Sequence, residues 1–143
     1  MESAFTIADC FLRLSDEEEL LCNMKLQKLL YYAQGLHLAL YNEPLFNERI
    51  FAWTHGPVVA EVYYKYKNFG IAGIPAPKGK EHKKLSDKIE ELITEVFIVY
   101  GQFSAWKLRE LTHEEPPWNE TTIGEEIEHS KLRAYFLTQL QTA

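Results

Sequence analysis

The segment Met24 to Tyr41 is apolar on every side, and nothing else in the chain constrains the fold so strongly. Leu26, Leu29, Leu30, Ala33 and Leu40 share one helical face. Tyr31, Leu38 and Tyr41 share a second, with Tyr32, Leu36 and Ala39 between them. Past Lys28, only Gln34 and His37 are strongly polar. A helix that is apolar all round must be covered all round, so the remaining elements have to wrap it. The chain has 143 residues, within the ~100–200 typical of one domain. A domain of this size buries roughly 70% of its unfolded surface, enough for a core without metals or disulfides. The expected fold is mainly α: a compact helical bundle over residues 1–143, one domain around a buried central helix.

The flanking segments supply the wrapping. Thr6 reads as the cap of a short helix, Ile7 to Leu14, followed by a solvated connection to Leu21. Asn23 is the expected cap of the central helix. Pro44 ends that helix, Leu45 and Phe46 pack back, and Arg49 to Trp53 has strand composition, so a short strand or hairpin is predicted near 45–55. Gly56-Pro57 predicts a turn opening a helix from Val58 to Phe69, striped by Val59, Val62, Tyr63, Tyr66 and Phe69. Five glycines and prolines, with Lys78, Lys80, Lys83 and Lys84, make residues 70–84 a mobile loop on this reading. Leu85 to Phe97 is an amphipathic helix ending at Gly101, and Ser104 caps another through Leu111. Pro116-Pro117-Trp118 reads as rigid loop, Ile123 to Glu128 is compatible with a short strand, and Ser130 caps a last helix through Leu140.

Chemistry is harder to find. The formal charge of −6 argues against general nucleic-acid binding, which rests on cations neutralising phosphates. The alternative reading is a regulatory nucleic-acid module in the Tyr/Lys-rich 63–84 region, where Tyr63, Tyr64 and Tyr66 alternate with Lys65 and Lys67. There is no glycine-rich phosphate loop, nucleophile elbow or CxxC. Cys10 and Cys22 read as reduced, buried thiols, and His37, His55, His82, His113 and His129 lack ligand spacing. No enzyme, metal or cofactor is expected. The N-terminus lacks signal-peptide character and no run approaches ~20 apolar residues, so a cytoplasmic protein is expected.

Several motifs together resemble a known family. Lys25-Leu26-Gln27-Lys28-Leu29-Leu30-Tyr31-Tyr32-Ala33-Gln34-Gly35 comes first, then Pro44-Leu45-Phe46 and Ala52-Trp53-Thr54-His55-Gly56-Pro57-Val58-Val59, then Val62-Tyr63. Ser104-Ala105-Trp106, Leu111-Thr112-His113, Pro117-Trp118, Ile127 and Tyr135-Phe136 follow. From about Ile7 to Phe136 the chain resembles the Panacea domain, the SocA-like antitoxin family that includes phage-associated proteins of the GepA type. The resemblance implies a non-enzymatic antitoxin of a bacterial or prophage toxin–antitoxin system, acting by direct binding to a cognate toxin. In at least one branch it implies delivery of the toxin to a protease. Some members append a DNA-binding segment, and a chain ending at Ala143 is not expected to repress its own operon through one. His55 stands where members commonly carry an aromatic. The candidate partner-binding residues are Lys25, Lys28, Tyr32, Trp53, His55 and Tyr63. Lys25 and Lys28 are expected to lay their stems over the core and keep their ammonium groups in water. Gly56, Pro57, His113 and Trp118 are the candidate structural motif, with Trp118 folding back as a plug beside a hydrogen-bonded His113.

Overall fold

The computed structural model describes residues 1–77 and 84–140. It is mainly helical with one small hairpin, as the sequence predicts. The order is α1 (Ala4–Leu14), α2 (Asn23–Tyr41), β1 (Phe51–Trp53), β2 (Gly56–Val58), α3 (Ala60–Lys65), a 3-10 turn (Lys67–Phe69), α4 (Asp87–Tyr100), α5 (Ala105–His113), α6 (Pro116–Asn119) and α7 (His129–Leu140). Helix α2 is the axis, and α1, α3, α4, α5, α7 and β2 all pack on it. Leu26, Leu29, Leu30, Tyr31, Tyr32 and Ala33 have no exposed surface. The closest packing is with α7. At Gly35 a Cβ would lie 2.1 Å from the Phe136 ring, so glycine is what lets α7 settle onto α2.

The polar residues of α2 stitch irregular backbone to the axis. Gln34 Oε1 accepts from the Leu45 and Phe46 amides at 2.7 and 3.2 Å, and its Nε2 donates to the Phe46 carbonyl at 2.9 Å. One side chain thus stands in for a neighbouring strand along residues 45–46 and satisfies backbone that water cannot reach.

Several boundaries differ from expectation for identifiable reasons. Helix α1 starts earlier, because Ser3 caps it at Phe5 N and Glu48 reaches back to Ala4 N at 2.8 Å, a carboxylate on a helix N-terminus. Asn23 does not cap α2; its side chain turns inward and Cys22 occupies the cap position with no side-chain bond. Pro57 lies in β2 instead of opening a helix. Register Phe51↔Val58, Ala52↔Pro57, Trp53↔Gly56 makes β2 an outer strand, where a missing N–H is tolerated. The other edge of β1 takes residues 124–127, through Ala52 N to Glu125 O at 2.9 Å and Ile127 N to Ile50 O at 2.8 Å. Residues 116–119 form a helical turn, with proline at its first positions. In the expected mobile loop, Lys78, Lys80, Lys83 and His82 lie outside the described residues. Its first part is tied down, since Ile74 is buried and its amide donates to Leu21 O at 2.7 Å.

Candidate functional site

The site is built where the amino end of α2 meets the hairpin. Asn23 Nδ2 donates to Tyr63 O at 3.0 Å, and Gln27 Nε2 donates to Asn23 Oδ1 at 3.0 Å. Gln27 Oε1 accepts from Val59 N at 2.9 Å. These bonds fix the hairpin and α3 against the first turns of α2. Lys28 runs beneath that hairpin, only 1% exposed. At Gly56, φ is +120° and a Cβ would lie 2.5 Å from Lys28 Cε and 3.0 Å from its Nζ. Glycine is therefore required twice there, by the backbone and by the lysine under it.

The expectation of a wet ammonium at Lys28 is thus overturned. Among the described residues it makes no hydrogen bond or ion pair. Burial pulls its pKa from the ordinary 10.5 to about 7, with nearby Cys22 opposing the effect and Arg109 adding to it. Lys25 behaves differently: its Nζ donates to the Gly101 carbonyl at 2.6 Å and ties α2 to the end of α4.

Tyr32 is buried too. Its ring stacks on Tyr100 at 3.7 Å, and its hydroxyl donates to Glu115 at 2.9 Å. Tyr31 donates to the other oxygen of the same carboxylate at 2.9 Å. Burial raises the Glu115 carboxyl to about 7, against the hydrogen bonds of the tyrosines, which favour its charge. Tyr32 therefore belongs to an interior polar cluster and presents nothing to a partner.

Above Lys28 opens a groove of about 970 Å³ between the amino end of α2, the hairpin, the turn after α3 and the start of α5. One wall is aromatic, with Trp53 edge-on to Tyr63 at 5.1 Å. Opposite stands Trp106, 59% exposed, with the Arg109 guanidinium 4.7 Å above its ring. Ile71 and Ile123, 98% and 53% exposed, complete the apolar rim. His55 sits at the edge, where its Nδ1 accepts from Arg109 Nε at 3.2 Å. Lys67 lines the groove, and among the described residues no carboxylate does.

Of the sequence candidates, Lys28, Trp53, His55 and Tyr63 meet at this groove; Lys25 and Tyr32 do not. Gly56 and Pro57 form the adjoining strand. His113 and Trp118 brace it from outside, Trp118 Nε1 donating to Trp53 O at 2.8 Å. His113 Nε2 donates to Thr54 O at 3.0 Å, and its ring lies 3.9 Å from that of Trp118. Burial lowers the His113 pKa, so the imidazole is held neutral as a donor. No group of three or more metal-ligating side chains occurs among the described residues.

Trp106 carries the far wall with the Arg109 guanidinium over its ring, and sequence reasoning places Trp106 only in a family motif, not among the binding candidates. The signal was present. Leu108 and Thr112 face inward on α5, which leaves Trp106 on its solvent side beside Lys107, Arg109 and Glu110. An exposed tryptophan on a charged helix face is not explained by packing.

No curated protein and no solved structure matches the chain. A family model described as the antitoxin SocA-like, Panacea domain matches residues 26–119, which runs from α2 through α6 and so contains both walls of the groove and Lys28. The matched span is shorter than the Ile7 to Phe136 over which the motifs were read, and it covers well over half of the chain. The protein therefore belongs to the SocA-like antitoxin, Panacea domain family.

Proposed function

We propose that this protein is the antitoxin of a toxin–antitoxin pair, and that it neutralises a cognate toxin by stoichiometric binding through the groove over Lys28. The observation that carries this reading is the apolar rim: Trp106, Ile71 and Ile123 stand exposed together around one concave surface. Large apolar side chains clustered at a depression are what interface hot spots are made of. Membership of an antitoxin-like family gives the partner its class. The action proposed is non-enzymatic, a reading supported by His113, which is tied to Thr54 and packed on Trp118, and by the lack of a hydrogen-bonded nucleophile and base among the described residues of the groove. A cytoplasmic location fits this role; among the described residues, no helix is long and apolar enough to cross a membrane. Delivery of the bound toxin to a protease is compatible with the same groove and would need a second contact elsewhere.

The test is co-expression with the protein encoded beside it. Growth should be rescued with recovery of a stoichiometric complex. Trp106→Asp should lose both at an unchanged melting temperature, since that side chain lies outside the core. Rescue without any complex would remove the basis of the reading.

A further inference from the structure

Two independent features of the groove favour a negative group. The first is Lys28, whose ammonium is almost wholly buried and has neither a hydrogen bond nor an ion pair among the described residues. Buried charges are ordinarily paired; without a partner this amine gives up its proton readily, and a counter-charge entering from outside is what lets it stay protonated in place. Its residual exposure opens into the groove. The second is the amino end of α2, a 19-residue helix whose cap residue, Cys22, offers no side-chain bond to the first amides. Cys22, Asn23 and Met24 line the groove, which adds the positive end of a long helix to the same place. Among the described residues the lining holds Lys28 and Lys67 and no carboxylate, although the chain as a whole is at −6.

We infer that the groove takes a segment of the toxin that sets an aspartate or glutamate side chain on the Lys28 ammonium, with apolar side chains on either side lying against Trp53 and Trp106. A carboxylate suits the site better than a nucleic-acid backbone. Phosphate chains are held by several cations spread over a surface, whereas here Lys28 lies at the bottom of a mostly apolar cleft with Lys67 as the second lysine of its lining. Identification of the partner as the toxin rests on the antitoxin reading; the demand for a carboxylate between apolar groups does not.

The neutral tendency of Lys28 gives the proposal a signature that simple packing would not. A lysine with a pKa near 7 is mostly uncharged at about pH 8, and a bound carboxylate restores its charge, so binding takes up close to one proton. Calorimetric titration of the toxin into the wild-type protein, in two buffers of different ionisation heat at about pH 8, measures this directly. Proton uptake should be seen with the wild type and vanish in Lys28→Met, whose affinity should fall by about 30-fold or more. A parallel titration uses the capped peptides acetyl-Leu-Glu-Leu-amide and acetyl-Leu-Gln-Leu-amide, followed by the indole resonances of Trp53 and Trp106. The Glu peptide should move both, and the Gln peptide neither at the same concentration.

Toxin bound equally by wild type and Lys28→Met, without proton uptake, would overturn the inference and leave the antitoxin reading standing. A response to the Glu peptide with no toxin binding would do the reverse. Lys28-dependent binding of a single-stranded oligonucleotide, or Lys28-dependent self-association in sedimentation, would assign the groove to a different occupant and overturn the inference.

Discussion

Lys28→Met should make the protein more stable while weakening its function, and the size of the effect follows from the structure. Holding the Lys28 pKa near 7 in the folded state, against 10.5 when unfolded, means that folding releases about half a proton at pH 7 and nearly a whole one at about pH 8 to 9. At 1.36 kcal/mol for each pH unit, the penalty at pH 7 is on the order of 4 kcal/mol. The sign is fixed by the same comparison. A lysine whose folded pKa is depressed destabilises fully below the folded value, and the penalty fades as pH rises from about 7 towards 10.5. Methionine has nearly the same length and no charge, and the pocket under Gly56 already accommodates the stem. Allowing for relaxation around the new side chain, Lys28→Met should gain about 1–4 kcal/mol at pH 7 and much less near pH 10. Urea denaturation of both proteins across that range measures the gain. A loss of stability at pH 7, or a gain that does not shrink with rising pH, would refute the reasoning.

Glu115 acts in the opposite direction over a lower range. Its folded pKa near 7 lies above the ordinary 4.5, so stability should decline as pH rises from about 4.5 to 7, and Glu115→Gln should flatten that decline in denaturation curves. Glu115→Ala should instead cost about 1–3 kcal/mol at pH 5, because it strands the Tyr31 and Tyr32 hydroxyls. Leu30→Ala should cost about 2–5 kcal/mol, as expected of a fully buried side chain on the axis helix. Gly35→Ala drives a methyl into the Phe136 ring and should lower stability by about 1–3 kcal/mol, read as a fall in melting temperature.

The axis was legible because an all-round apolar helix has only one stable placement. What the pattern did not reveal was the use made of its polar residues. Gln27, Lys28 and Gln34 look like solvent contacts along a helix, yet each is buried, because hairpin and loop backbone close over them. Those closures join residues far apart in sequence, such as Gln27 with Val59, and leave no local trace. Ser3 and Thr6 are equally good caps by type, and Glu48, more than forty residues on, decides between them. The aromatic wall was readable in part: Trp53 and Tyr63 stand in the family motifs, but by sequence Gly56-Pro57 opens a helix, whereas Trp53 ends β1 of a hairpin and Tyr63 meets it from α3. The opposite wall depends on how α5 docks, and there the one usable sign was a tryptophan among charges.

Site-specific photocrosslinking of the toxin complex tests the central claim most directly. A photoreactive phenylalanine at position 106 should capture the toxin in high yield, while the same group at Ile98, exposed on α4 and away from the groove, should not. Capture at position 98 with none at position 106 would place the toxin on another face and contradict the account.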